Sequence, residues 1–194
     1  MAVALTFDDG PSPATPAILD ILKQHQAKAT FFLVGQHTLR YPEIARDCVA
    51  QGHEVANHSH THPNFAMKSR SFIRDEFQRA QSAIRSTTGV TPTLLRAPYG
   101  VRWFGFADVQ RELNVQGVMW SVIGRDWKLP APDITSRVLS RTGDGDIICL
   151  HDGRDTQSDP DVSATVDAVR TIVPTLIAKG YHFETVTEIL CPKK

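Results

Sequence analysis

No stretch of this chain approaches the 18 or more apolar residues that cross a bilayer. Nor does a basic, then apolar, then small-residue pattern open it, so no secretion signal can be read within it. The first expected strand begins almost at residue 1, so an export signal or anchor would lie outside this sequence. Net charge is also missing: Lys+Arg and Asp+Glu both number 21. Without a basic field to neutralise phosphates, nucleic-acid binding is disfavoured, and Lys193 and Lys194 read as a solvated tail. Cysteine is sparse. Cys48, Cys149 and Cys191 are odd in number and widely spaced, which argues against a disulfide framework or a four-cysteine zinc site and leaves buried or free thiols. No internal repeat, low-complexity tract or long linker interrupts the 194 residues, so one domain over 1–194 is expected, large enough to bury a core without structural props.

What the chain does have is an alternation of short apolar runs with amphipathic stretches. Strands are expected at 3–7, 29–35, 53–57, 92–96, 117–122, 146–150 and 181–186. Helices are expected from Ser12 as N-cap to Gln24, at 36–50, 69–87, 103–113, 133–141 and 163–179, with a short segment at 187–190. Over 69–87, Phe72, Ile73, Glu76, Phe77, Ala80 and Ile84 carry the helical spacing. Seven strands with crossover helices imply a parallel α/β sheet, either an open doubly wound sheet or a barrel. The placement of chemistry favours the barrel: titratable residues follow five different strands, at Asp8-Asp9, His58 to His62, Arg96, Asp126 and His151-Asp152.

Each group has a chemical use and a plainer alternative. Asp8-Asp9-Gly10-Pro11 is either a solvated turn or a pair of carboxylates at a strand end. His58-Ser59-His60-Thr61-His62 offers two imidazoles on one face at positions 58 and 62 if helical, or three if extended; the helical pair is expected, because Asn57 and Ser59 suit a helix start. A catalytic zinc takes three protein ligands and keeps a position open. One aspartate of the pair can supply the third ligand and leave the other to accept a proton. Arg96 would hold that carboxylate ionised and oriented, and Asp126 would support His151 as a general acid.

The ordered set Thr6-Phe7-Asp8-Asp9-Gly10, His58-Ser59-x-x-His62, Arg96-x-Pro98-Tyr99-Gly100, Arg125-Asp126-Trp127 and Leu150-His151 resembles the polysaccharide deacetylases of carbohydrate esterase family four, the NodB-homology domain. These blocks span residues 6–151. The resemblance implies a distorted (β/α)7-8 barrel holding a divalent metal, usually Zn²⁺, with Co²⁺ or another divalent ion as substitutes. It implies Asp9, His58 and His62 as ligands, Asp8 as base, Arg96 to orient it, and His151 as acid tuned by Asp126. It also implies that the Tyr99 N–H meets the oxyanion, and that Trp127 and Leu150 line the acetyl pocket. One departure is Ile123, where the family often has Asp; substrate detail is what this puts in question.

The implied reaction is removal of N-acetyl groups from N-acetylglucosamine-containing polysaccharide, chitooligosaccharide or peptidoglycan. Alternatives are O-deacetylation of xylan, deformylation or deacylation of a small or lipid-linked sugar, and a non-catalytic carbohydrate-binding domain. Tyr99, Trp103, Phe104 and Trp127 are expected at the barrel mouth, where they could stack on sugar rings or simply cap the core. A monomer with an oligosaccharide or polysaccharide substrate is expected, secreted or facing the cell envelope, with a cytoplasmic location left open.

Overall fold

Strand β1 (Ala2–Asp8) is buried over nearly its whole length, and its side chains divide with period two. In the computed structural model, which describes residues 1–191, Val3, Leu5 and Phe7 join a core cluster with the outer helices. Ala4 instead belongs to an inner cluster with Phe32, Ala56, Leu94, Val118 and Val186. Thr6 and Asp8 continue the Ala4 column, so the strand that starts in the barrel floor ends in a carboxylate at its mouth. The C-terminal lysines expected as a solvated tail lie outside the described residues.

The other strands are β2 (Thr30–Leu33), β3 (Glu54–Asn57), β4 (Leu94–Leu95), β5 (Gln116–Gly117), β6 (Val122–Ile123), β7 (Ile147–His151) and β8 (His182–Glu184). All pairings are parallel, in the order β5-β4-β3-β2-β1-β7-β6, with β8 added to β1. Ala4 pairs with Ile147 on one side and Glu184 on the other, so β8 occupies the edge of β1 that β2 takes over from Thr6 onward. Asp8 lies directly beside His151 in register.

The result is a distorted barrel that is curled but open. The run 117–122, expected to be one strand, is two short ones at opposite edges of the sheet: β5 extends β4, and β6 pairs with β7. Residues 118–121 carry the chain across the seam, and that is why a continuous apolar run does not form a continuous strand.

Helices α1 (Thr15–Gln24), α2 (Gly35–Arg40), α3 (Pro42–Ala50), α4 (Arg70–Thr88), α5 (Phe106–Leu113), α6 (Ala131–Leu139), α7 (Ser163–Ala178) and α8 (Val186–Leu190) surround it. The expected helix 36–50 breaks at Tyr41 (φ −122°, ψ 60°) because the residue before a proline is pushed out of the helical region; Pro42 then starts α3. Ser12 is not the N-cap of α1, which begins at Thr15; its hydroxyl donates to the Asp152 carbonyl and accepts the Ala14 N–H at 3.1 Å. Helix α4 has the expected bounds, with the Ser69 hydroxyl accepting the Phe72 N–H and Gly89 left-handed at φ 77°.

Candidate active site

The strand ends enclose a cavity of about 380 Å³ lined by Asp8, Asp9, His58, His62, Tyr99 and His151 among others. Period two decides which residues reach it. On β7, Ile148 and Leu150 belong to the outer core, whereas Cys149 and His151 face inward with Asp8. Leu150, expected in the acetyl pocket, is therefore fully buried on the opposite face of the strand, and Cys149 is the residue beneath the site. Ile123 and Trp127 do line the cavity.

The histidine segment is neither helical nor extended. Ser59 (φ 67°) and His62 (φ 53°) are left-handed, and the loop they shape brings the two imidazoles to 5.0 Å between centroids. Ser59 Oγ accepts the His62 N–H at 3.1 Å. Buried Glu76 holds the loop from α4, accepting the His60 and Thr61 N–H groups at 3.0 and 2.8 Å and the Thr61 hydroxyl at 3.0 Å. His60 turns away and lines a separate surface hollow against α2 and α4.

Asp9 Oδ1 lies 3.3 Å from His58 Nε2 and 3.0 Å from His62 Nε2, with no aligned hydrogen-bond donor. Ligand atoms of these residues all fall within 4.8 Å of one another. Three lone-pair donors facing one point, with the carboxylate oxygen orphaned, suit a divalent cation. His58 supports this tautomer, since its Nδ1 meets the Arg96 carbonyl at 2.9 Å and leaves Nε2 for the ion. Burial favours neutral Asp9, yet the His58 and His62 rings hold its pKa well below the ordinary value.

Asp8 is differently placed. The Arg96 guanidinium donates to its Oδ1 at 2.6 Å, leaving Oδ2 to the weak donor Cys149 at 3.5 Å. Arg96 is completely buried, stacked on Phe32 at 3.9 Å, and also donates to Thr6 Oγ1 and to the Val118 and Met119 carbonyls in the seam. One side chain thus orients the carboxylate and satisfies backbone that the open sheet leaves unpaired.

Across the cavity, Asp126 takes the His151 N–H at 2.7 Å, His151 Nδ1 at 2.8 Å and the Thr165 hydroxyl at 2.7 Å. Burial favours the neutral ring of His151, but Asp126, with help from Asp9 and Asp8, raises its pKa to about 9. Trp127 stands edge-on to that ring at 5.2 Å.

Glu76, Asp152, Asp155 and Thr165 were not singled out for a role from sequence. Asp152 is fully buried, its pKa pushed up to about 7 by burial despite a bond from Thr15, and it packs against the turn after β1 so closely that a side chain at Gly10 would strike it. Two of these left a sequence signal: Asp152 as an acid at a strand end beside His151, and Glu76 as an acid on the apolar face of a helix.

Fold and cluster define a class: a β/α barrel whose strand ends can hold one divalent ion beside an arginine-bound carboxylate. The chain belongs to the polysaccharide deacetylase family, whose profile matches residues 1–118. It is 39% identical to a chitooligosaccharide deacetylase of Bradyrhizobium sp., covering 97% of this chain and 90% of that one. A peptidoglycan-N-acetylglucosamine deacetylase of Bacillus cereus is 36% identical over 99% of this chain and 69% of its own length. Among solved structures, the Bc1960 peptidoglycan N-acetylglucosamine deacetylase superposes with a TM-score of 0.90 at 36% identity, covering 97% of this chain and 87% of that one. A pseudoenzyme of the same family from Bacillus anthracis also superposes, with a TM-score of 0.89 at 30% identity, covering 100% of this chain and 66% of that one. The fold alone therefore does not decide activity.

Proposed function

We propose that this chain is a metal-dependent hydrolase, a single catalytic domain that removes N-acetyl groups from N-acetylglucosamine-containing oligosaccharide or polysaccharide facing the cell envelope. The observation that carries the reading is the orphaned Asp9 oxygen between two imidazole nitrogens, flanked by Asp8 on Arg96 and by His151 on Asp126. Asp9, His58 and His62 would hold the ion, with Zn²⁺ the expected one. Such an ion lowers the pKa of a bound water from about 15.7 to about 7 and polarises a carbonyl oxygen.

The protein's own groups supply the rest. Asp8 takes the proton of the attacking water on Oδ2, because Oδ1 is committed to Arg96. Tyr99, left-handed at φ 56°, presents its N–H to the oxyanion. His151 carries its second proton on Nε2, since Nδ1 is bound to Asp126, and delivers it to the departing nitrogen; an amide needs this step because an unprotonated amine leaves poorly. Tyr99 and Trp127 line the cavity and are exposed enough to stack on a sugar ring, whereas Trp103 and Phe104 pair with each other at 5.4 Å.

The purified chain loaded with Zn²⁺ should release acetate from chitooligosaccharides or peptidoglycan. Release from acetylated xylan alone would overturn the amide reading and leave the metal chemistry. Formate release from a small formamide alone would replace the substrate class. Sugar binding without release of either acid would make the chain a binding domain.

A further inference from the structure

We infer that Asp155 is a positioning residue of the proposed metal centre, holding His62 and Asp9 in their ligand orientations and tying Tyr99 to both. The inference rests on the reading of Asp9, His58 and His62 as ligands.

A histidine that offers Nε2 to a metal must carry its proton on Nδ1, and a buried Nδ1–H needs an acceptor. His58 has the Arg96 carbonyl at 2.9 Å. His62 has no such backbone group: its Nδ1 is buried, makes no aligned hydrogen bond, and lies 3.0 Å from Asp155 Oδ1. The backbone of the same residue contributes too, because the Asp155 N–H donates to Asp9 Oδ2 at 3.0 Å. That bond fixes the carboxylate so that Oδ1 is the oxygen turned toward the imidazoles.

Asp155 reaches these groups from the loop after β7, in a left-handed conformation at φ 48°. Its Oδ1 also accepts the Tyr99 phenol at 2.7 Å. Burial and then Asp155 push that phenol up to about 12, so it remains a donor through the neutral range. One residue therefore touches two of the three ligands and the turn that carries the oxyanion N–H. Its side chain is 53% exposed, so truncating it opens no cavity in the core and the effect of the contact can be separated from packing.

The test uses the full chain stripped of metal, with Zn²⁺ affinity read by competition against a chromophoric chelator. Asp155→Ala should bind Zn²⁺ about 10–100-fold more weakly, the usual cost of losing an outer partner of a metal-bound histidine. Asp155→Asn keeps an acceptor oxygen and should recover part of that loss. Tyr99→Phe leaves Asp155 in place and should stay within about twofold of the unaltered chain. Metal-free melting temperatures of the Asp155 variants should match the unaltered chain.

Affinity of Asp155→Ala within about twofold of the unaltered chain overturns the inference. If His58→Ala loses zinc in the same assay, the ligand reading stands and only the role of Asp155 fails. If the unaltered chain binds no zinc, both fail. A loss in Tyr99→Phe as large as in Asp155→Ala assigns the effect to the phenol. A fall in metal-free melting temperature that tracks the lost affinity, with no recovery in Asp155→Asn, assigns it to loop structure; either result overturns the inference.

Discussion

Two carboxylates at the mouth of this barrel are both buried, yet they are finished in opposite ways. Asp126 accepts the His151 backbone, the His151 ring and the Thr165 hydroxyl, so its two oxygens are fully occupied by protein donors. Asp9 Oδ1 has no aligned donor and faces two imidazole nitrogens. A saturated carboxylate fixes one proton arrangement in its partner. An unsaturated one among lone pairs is costly unless a cation completes it. Under the proposed function, the difference separates the half of the site that would manage a proton from the half that would hold an ion.

The strongest way to break this comparison is to remove the charge from each member of the Asp8-Asp9 pair. Asp9→Asn should lose metal affinity by more than about 100-fold, since even outer partners cost about 10–100-fold, and activity should go with it. Asp8→Asn should keep the metal and lose about 10² to 10⁴ in rate. Chelator competition and acetate release measure the two effects, and equal metal loss in both variants would erase the distinction between them.

On the proton side, the His151 ring is raised from 6.5 to about 9. Being a raised cationic group, it contributes stability that is complete below pH 6.5 and lost as pH climbs through about 9, and it remains a proton donor over the same range. In metal-free protein, NMR titration should place this ring near 9, and Asp126→Asn should move it down toward 6.5. An unmoved titration would show that Asp126 does not set the proton. The smallest effect expected is from Glu76→Ala, which removes a buried acceptor from the histidine loop. It should cost about 1–3 kcal/mol in thermal unfolding, with Asp126 and His151 undisturbed. A matching shift in the His151 titration would mean the two halves are not separate.

Much of this was legible because strand ends announce themselves. A short apolar run closed by Asp8-Asp9-Gly10 or by His151-Asp152 marks a β/α loop, and the order of the blocks named the family. The histidine pair was foreseen with the wrong backbone: spacing suggested a helix, but left-handed Ser59 and His62, clamped by Glu76, do the work instead. Leu150 was misplaced because adjacency to His151 suggested the cavity, whereas alternation along β7 turns it to the outer core.

By itself the sequence determined the strand and helix beat, the ionisable residues at the strand ends and the Ser69-to-Gly89 bounds of α4. Those depend on local periodicity and capping, which a few neighbouring residues settle. Only the tertiary structure decided that 117–122 divides across the open seam, that Arg96 bridges that seam, and that Asp155 meets His62 and Tyr99 from the far side of the mouth. These contacts join residues distant in the chain, and they are set by how far the sheet curls and which loops it brings face to face, quantities that no local spacing encodes.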